Sequence, residues 1–432
     1  MKFKGFHIVS YLAERNIGDI GPVLIYLFAG AIYLPMIFTN IISILLVLFC
    51  VVRFGKEDFK RVFKTKFVIL FLGLYSILFT GLFYNIPLEG IWNGLEKKLS
   101  FVVLPVSIGL IGIGKRDLKS ILRIFYYSGI LVTSYAVIVG VALWIREDNT
   151  SFLVNHGLSQ NIGFHATYLS MYLLFAIAYP IIRFQDFPSR MEKYLLFFLT
   201  GLLIIYIILL AVRIVWLLFF FLLIIWLTYV FFSKGFKLKY FLGIALFSLM
   251  VLTISMMLGP VRERFKEAIN FNNEYNIEKV WGGRNIRIMV WKSGISLLEK
   301  KPFSGYGSSS QVQKELNLYY KDHNLGPILY MMKKNGNAFN AHNQFLAEVL
   351  KHGLILGMLY FFILLIMVSV FWKNSRVLGI LFFIIIFGVS LTETILELNK
   401  GIVFFAFFGS VLCFNFNELY SQKIEIMEEK SI

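Results

Sequence analysis

Residues 194–232 read YLLFFLTGLLIIYIILLAVRIVWLLFFFLLIIWLTYVFF, and Arg213 is the one charged residue among them. A helix needs about 20 apolar residues to cross the hydrocarbon core of a bilayer. The stretch is therefore long enough for two crossings, with Arg213 at the turn between them. The apolar run is continuous and not alternating, which favours helices over a barrel. Comparable runs recur through all 432 residues, of which 58% are hydrophobic and 16% charged. A soluble fold of this size would need more charge to cover its surface.

Outward from that pair, further spans are expected at 23–52 (two short ones, broken by Pro35 and Thr39-Asn40), 67–84, 99–114, 121–145, 165–182, 240–258, 354–372, 377–391 and 401–415. The reading is an all-α integral membrane protein of about twelve transmembrane helices. Lys and Arg cluster after the second span (Arg53 to Lys66) and again at Lys115–Lys119, Arg183–Lys193 and Lys234–Lys239, which assigns those loops and both chain ends to the cytoplasm. The opening residues lack the short apolar core and small-residue cleavage site of a signal peptide, so the first span is expected to stay in the membrane. Much of the net charge of +17 serves topology. No soluble basic face with interleaved aromatics is present, so no nucleic-acid partner is expected. Cys50 and Cys413 lie in apolar runs and read as small packing residues.

One long polar insert separates the ninth and tenth spans. The resulting division is 1–258 for spans one to nine, 259–341 for the outer loop domain, 342–417 for spans ten to twelve and 418–432 for a cytoplasmic tail. Helices are expected at 261–269, 285–300 and 311–321, with loops marked by Gly326, Pro327, Gly336 and Asn340. The insert carries about six more basic than acidic residues on the face where the charge-bias rule expects few. Phosphate binding would account for that excess.

Three positions carry candidate chemistry. Arg213 at an outer turn either snorkels to the interface or faces a cavity as a phosphate ligand, since guanidinium matches phosphate through two parallel hydrogen bonds. Arg284 and Arg287 precede an amphipathic helix that contains Trp291; two loop arginines are ordinarily solvated, but a helix N-terminus beside a membrane favours anions. His342 opens a helix, 343–352, that leads into a span. A lone histidine is more often structural, yet an imidazole there could accept a proton from an attacking hydroxyl. His165 is a secondary candidate, and His156, His323 and His352 are weaker ones. No histidine spacing resembles a zinc site, and no Asp-x-Asp pair, Walker loop or Gly-x-Ser-x-Gly elbow occurs. No metal and no cofactor is expected.

Several of these residues recur in a familiar order: Arg213-Ile-Val-Trp216, Arg287-Ile-Met-Val-Trp291, Lys301-Pro302-Phe-Ser-Gly305-Tyr306-Gly307, and His342-Asn343-Gln-Phe345-Leu346 with Glu348 and Gly353. This pattern resembles the O-antigen ligase and polymerase superfamily of bacterial membrane glycosyltransferases. The stretch His165-Ala-Thr-Tyr168-Leu169 resembles an element of some members. Val212 departs from the small polar residue usual before the first Arg. Arg284 and Arg287 compete for one role, and the spacing to Trp291 favours Arg287.

The resemblance implies a glycosyltransferase C-like fold with a large periplasmic helical loop, in the bacterial cytoplasmic (inner) membrane, with its active site on the periplasmic side. It implies metal-independent, inverting transfer of a glycan from an undecaprenyl-diphosphate carrier to an acceptor hydroxyl, on lipid A core or a similar lipid or glycolipid. His342 would be the catalytic base, Arg213 and Arg287 or Arg284 would bind the diphosphate, and Tyr168, Asn343 and Tyr306 join His165 as secondary candidates. A monomer among membrane lipids is expected. A polymerase of the same superfamily is the near alternative to a ligase. A transporter or flippase of lipid-linked oligosaccharide is the alternative of another class, and would call for charges within the spans and an internal repeat.

Overall fold

Pro35 lacks an N–H and divides the first apolar stretch into α1 (Ile20–Ala31) and α2 (Met36–Arg53), standing just before the first turn of α2. Thr39 and Asn40, expected to share in that break, lie inside α2, where Thr39 Oγ1 donates back to the Met36 carbonyl at 2.9 Å. In the computed structural model residues 20–83, 88–183, 186, 189–234, 253, 262, 283–335, 339–374 and 376–413 are described. Every regular element among them is helical. Except for Thr253 and Arg262, the expected ninth span, the expected helix at 261–269 and the tail lie outside the described residues.

The helix α3 (Lys66–Ser76) runs on as a 3₁₀ turn to Phe83. Residues 85–98, expected as an outer loop, instead carry α4 (Leu88–Lys97), because Ile91 and Leu95, one turn apart, bury one side of it. Then follow α5 (Ser100–Ile111), α6 (Lys115–Glu147), α7 (Ala166–Ala176), α8 (Arg190–Leu209) and α9 (Arg213–Lys234). The insert supplies α10 (Gly283–Lys300), α11 (Ser309–Asp322) and α12 (Gly326–Asn335). The last of these occupies a stretch expected as loop; Pro327 stands in its first turn, where no N–H is needed. The chain ends in α13 (Gln344–Asn374), α14 (Arg376–Ser390) and α15 (Asn399–Cys413).

Among the described residues six helical stretches are long and apolar enough to cross a membrane: Met36–Arg53, Lys66–Phe83, Lys115–Glu147, Ala166–Arg183, Arg190–Leu209 and Gln344–Asn374. A helix apolar on all sides belongs in the middle of a bundle. Both α7 and α15 do so, with every residue of α7 and every residue from Gly401 to Cys413 buried. Phe404 is the hub between them, its ring 4.6 Å from Tyr172 and 5.1 Å from Phe408. By contrast α2 and α8 turn Ile37, Phe38, Ile44, Leu48, Phe197 and Phe198 outward, an apolar surface of the kind that suits a bilayer.

A second core lies in the insert. Ile286, Val290, Leu297, Tyr306, Val312, Leu316, Tyr320 and Ile328 pack there with Ala341, Ala347 and Leu350, so this core extends past residue 341 into α13.

The helix α13 does not run straight into its span. It breaks at Gly353, which has φ 77° and ψ 173°, and folds back. Phe345 and Phe361, eight residues to either side, would stand about 24 Å apart along a straight helix. Their ring centroids are 5.6 Å apart. The break leaves backbone groups without helical partners, and the Pro-x-x-Gly-x-Gly turn takes them up. Tyr306 N donates to Leu350 O at 2.8 Å, Gly307 N to Lys351 O at 2.7 Å, and Leu354 N to Pro302 O at 2.8 Å. The approach is too close for a side chain: a Cβ at Gly353 would lie 2.0 Å from the Phe303 carbonyl oxygen. Gly353→Ala is therefore expected to cost at least about 3 kcal/mol, from left-handed backbone and overpacking together, and to show as a large loss of folded protein in detergent.

Candidate active site

On α10, Arg287 and Trp291 are one turn apart and share a face. Trp291 Nε1 donates to the His342 carbonyl at 3.3 Å. Arg287 Nη2 donates to Glu393 Oε1 at 2.6 Å. The other oxygen of that carboxylate, Oε2, lies 3.2 Å from His342 Nδ1. A single carboxylate thus joins the arginine and histidine singled out by sequence. Glu393 sits in the turn after α14, with its side chain 13% exposed. Burial alone would raise its carboxyl, but the His342 hydrogen bond and the Arg287 charge hold it down at about 2. It is a carboxylate at any physiological pH.

His342 is itself unusual. Its backbone is left-handed, φ 43°, which few non-glycine residues adopt outside constrained sites. Three contacts fix it there: the Trp291 indole on its carbonyl, the Asn340 Oδ1 accepting from its N–H at 2.9 Å, and Glu393 on its ring. With the carboxylate on Nδ1, the tautomer protonated at that nitrogen is favoured, and Nε2 is the ring nitrogen left to accept. Asn343 caps α13, its Oδ1 accepting from Leu346 N at 2.9 Å, and its Nδ2 donates to Leu391 O at 3.1 Å, which ties down the turn that carries Glu393.

His165 belongs to the same group. It begins α7, its Nδ1 accepting from Thr167 N at 3.4 Å, and its ring lies 4.4 Å from that of His156. Burial pushes His165 below the ordinary imidazole value, while Glu393 pulls it up and His342 and Arg287 push it down. Tyr168 reaches the same turn, its hydroxyl 3.5 Å from Thr394 O. The Arg213 turn lies towards this end too. Ala211, with φ 50°, packs on Val154 in the segment that leads to His156, and Trp216 Nε1 closes the turn on Ile207 O at 3.2 Å. Leu218 of α9 lies against Gly388 of α14, five residues below Glu393.

Other candidates lie elsewhere. Tyr306 gives its hydroxyl to Leu297 O at 2.9 Å inside the second core. His323 is exposed and stacks on Tyr319 at 3.8 Å. The backbone of Arg284 is in α10, but its side chain is outside the described residues. Among the described residues no group of three His, Cys, Asp or Glu side chains is placed to hold a metal ion. An apolar cleft lined by Phe345, Phe382, Phe387 and Ser390 lies between α13 and α14.

A second, larger charge group adjoins the first through the same turn. Lys98 Nζ is 3.1 Å from Glu397 and 3.4 Å from Glu348; Lys351 Nζ is 2.6 Å from Glu397 and 2.8 Å from Glu348. His352 joins at its edge, its Nδ1 3.0 Å from Thr80 Oγ1. Lys98, Glu348 and Lys351 are all buried. Burial would raise the Glu397 carboxyl, but Lys351 and Lys98 hold it down at about 2. Gln344 couples the two groups. It donates to Glu348 Oε1 at 2.7 Å and accepts from Leu396 N at 2.8 Å.

Sequence reasoning missed Glu393, Glu397 and Lys98. A signal was present: Leu391-Thr-Glu393-Thr-Ile-Leu-Glu397 puts two acids one helical turn apart between two apolar runs, where a plain turn needs neither.

Against curated proteins the chain finds no match. A family described as O-antigen ligase does match, over residues 198–362. The matched stretch holds Arg213, Arg287, Trp291, the Pro302–Gly307 turn and His342, whereas Lys98, His165, Glu393 and Glu397 lie outside it. Over residues 198–362, more than a third of the chain, it is thus similar to O-antigen ligases, and the match falls on the motifs from which the resemblance was read.

Proposed function

We propose that the chain is a glycosyltransferase of the ligase type, moving a glycan from an undecaprenyl-diphosphate carrier to an acceptor hydroxyl on the periplasmic face of the inner membrane. The observation that carries this reading is the meeting of Arg287 and His342 on Glu393, at 2.6 and 3.2 Å, beside apolar helices long enough to lie in a bilayer. The donor already carries a good leaving group, so the protein's work is to orient the acceptor and to stabilise charge developing on the diphosphate. His342 Nε2 takes the proton of the acceptor hydroxyl as its oxygen bonds to the anomeric carbon. The bond from that carbon to the diphosphate oxygen breaks, and its electron pair leaves with the diphosphate. One displacement inverts the anomeric centre. Arg287, with Arg213 from the neighbouring turn, receives the leaving charge.

Arg287→Ala is expected to weaken binding of farnesyl diphosphate, a short stand-in for the carrier, by about 10- to 100-fold, and Arg287→Lys to restore only part of it, since an ammonium lacks the planar fork. Titration of the purified protein in detergent measures both. The reaction itself is tested by reconstitution with lipid-linked glycan: new glycosidic bonds formed without any ion gradient support the enzyme, and transbilayer movement alone refutes it. A deletion strain that accumulates long chains on the carrier supports the ligase, and one that accumulates single repeats makes the chain a polymerase. The buried group of Lys98, Glu348, Lys351 and Glu397 does not favour a flippase. Its two cations and two anions are spent on each other.

A further inference from the structure

We propose that Glu393 is an exchangeable partner: in the empty site it holds Arg287, and an incoming diphosphate takes the guanidinium away, leaving the carboxylate to His342 alone. The inference rests on the function proposed above and adds a residue and a sequence of events to it.

The contacts are unequal. Arg287 meets Glu393 through a single nitrogen, Nη2. Its Nε is buried and has no hydrogen-bond partner among the described residues. The parallel two-donor edge for which arginine is suited is therefore half used, and a buried donor is left unmade, which is costly. Two oxygens of a diphosphate fill both positions at once. Glu393 cannot do so while its other oxygen is held by His342. The exchange thus trades one bond for two on the arginine.

The carboxylate is not lost in the exchange. The groups that face Glu393 are Arg287 from α10, His342 from the start of α13, and His165 and Tyr168 from α7. Once Arg287 has turned to the diphosphate, His342 is the one of these hydrogen-bonded to the carboxylate. The negative charge that was shared between two partners then acts on the imidazole, which becomes the better proton acceptor at the moment the donor is seated. Before the donor arrives, the same carboxylate keeps Arg287 in place and its charge neutralised. Donor binding and activation of the base become one event, and the acceptor is used second.

The test is Glu393→Gln, which keeps the shape and removes the charge. Farnesyl diphosphate is the probe for binding, and the reconstituted transfer assay reads turnover. The expected result is a split. Binding of the probe tightens about tenfold, because the competing charged acceptor is gone. Turnover falls about 10- to 100-fold, because the imidazole has lost its partner. In steady state, KM for the donor and kcat fall together. A merely structural role would weaken both binding and turnover. Glu393→Asp keeps the charge on a side chain one methylene shorter; it is expected to fall between wild type and Gln on both measures, and it serves where Gln fails to fold. Weaker or unchanged probe binding in these variants overturns the exchange while leaving the proposed reaction intact. Failure of the wild-type protein to bind the probe at all overturns the proposed reaction and the exchange with it.

Discussion

His342→Asn is expected to leave diphosphate binding nearly unchanged and to lower turnover by about 10²- to 10⁴-fold, the range that a positioned general base contributes. Asparagine is the informative replacement. Residue 342 has φ 43°, and asparagine is among the few side chains that accept this backbone readily. Its amide can still donate towards Glu393, so the carboxylate stays engaged and Arg287 stays tethered. The one thing removed is the free Nε2. The contacts that hold the backbone, from Trp291 Nε1 to the His342 carbonyl and from its N–H to Asn340, do not involve the ring. A probe titration and a transfer assay on the same preparation separate the outcomes. Full transfer by the Asn variant would remove His342 from the chemistry; loss of binding and transfer together would make it a structural residue.

The second large effect is on stability. Glu397→Gln is expected to destabilise the protein by about 3–5 kcal/mol, read as a lower midpoint of thermal unfolding in detergent. Glu397 accepts from both Lys98 and Lys351, whose side chains are 4% and 3% exposed. Removing its charge leaves two buried ammonium groups on the single carboxylate of Glu348. The penalty is one of uncompensated charge, not of a lost contact as such. It should therefore shrink when charge is rebalanced: Lys351→Met in the Glu397→Gln background restores neutrality and is expected to recover part of the loss, although each single change is harmful. A double variant less stable than either single variant would show that the four groups stabilise the fold by specific geometry and not by net charge.

The apolar runs were legible because span length is dictated by the bilayer, and a run interrupted by Pro35 or by a basic cluster announces its own end. Arg287 and Trp291 were legible as a pair one helical turn apart, and His342 as the head of its own short motif; the structure brings Arg287 and His342 onto one carboxylate, with Trp291 on the His342 carbonyl. That carboxylate was not legible. Glu393 lies 51 residues beyond His342, and an acid in a turn reads as solvated until the turn is seen to be buried. Gly353 was visible as part of a motif, but a glycine in an apolar helix says nothing about whether the helix bends. The Pro302–Gly307 turn was equally visible and its work was hidden, because the carbonyls it satisfies, those of Leu350 and Lys351, belong to residues 44 positions away. Turn signals misled at α12, where Gly326 and Pro327 read as loop and proved to open a helix.

The fold-back at Gly353 bears on how bulky reactants come and go. The arm between His342 and that glycine contributes Phe345 to one core and Leu350 to the other. A hatch would need a pivot free to change its torsion angles, and the obvious pivot is jammed against the Phe303 backbone. The described part of the insert, through its Pro302–Gly307 turn, is thus braced against the arm that carries His342. For the lipid-linked donor proposed above, a hinge locked at this point leaves the sideways route, between helices from the lipid, as the way in and out.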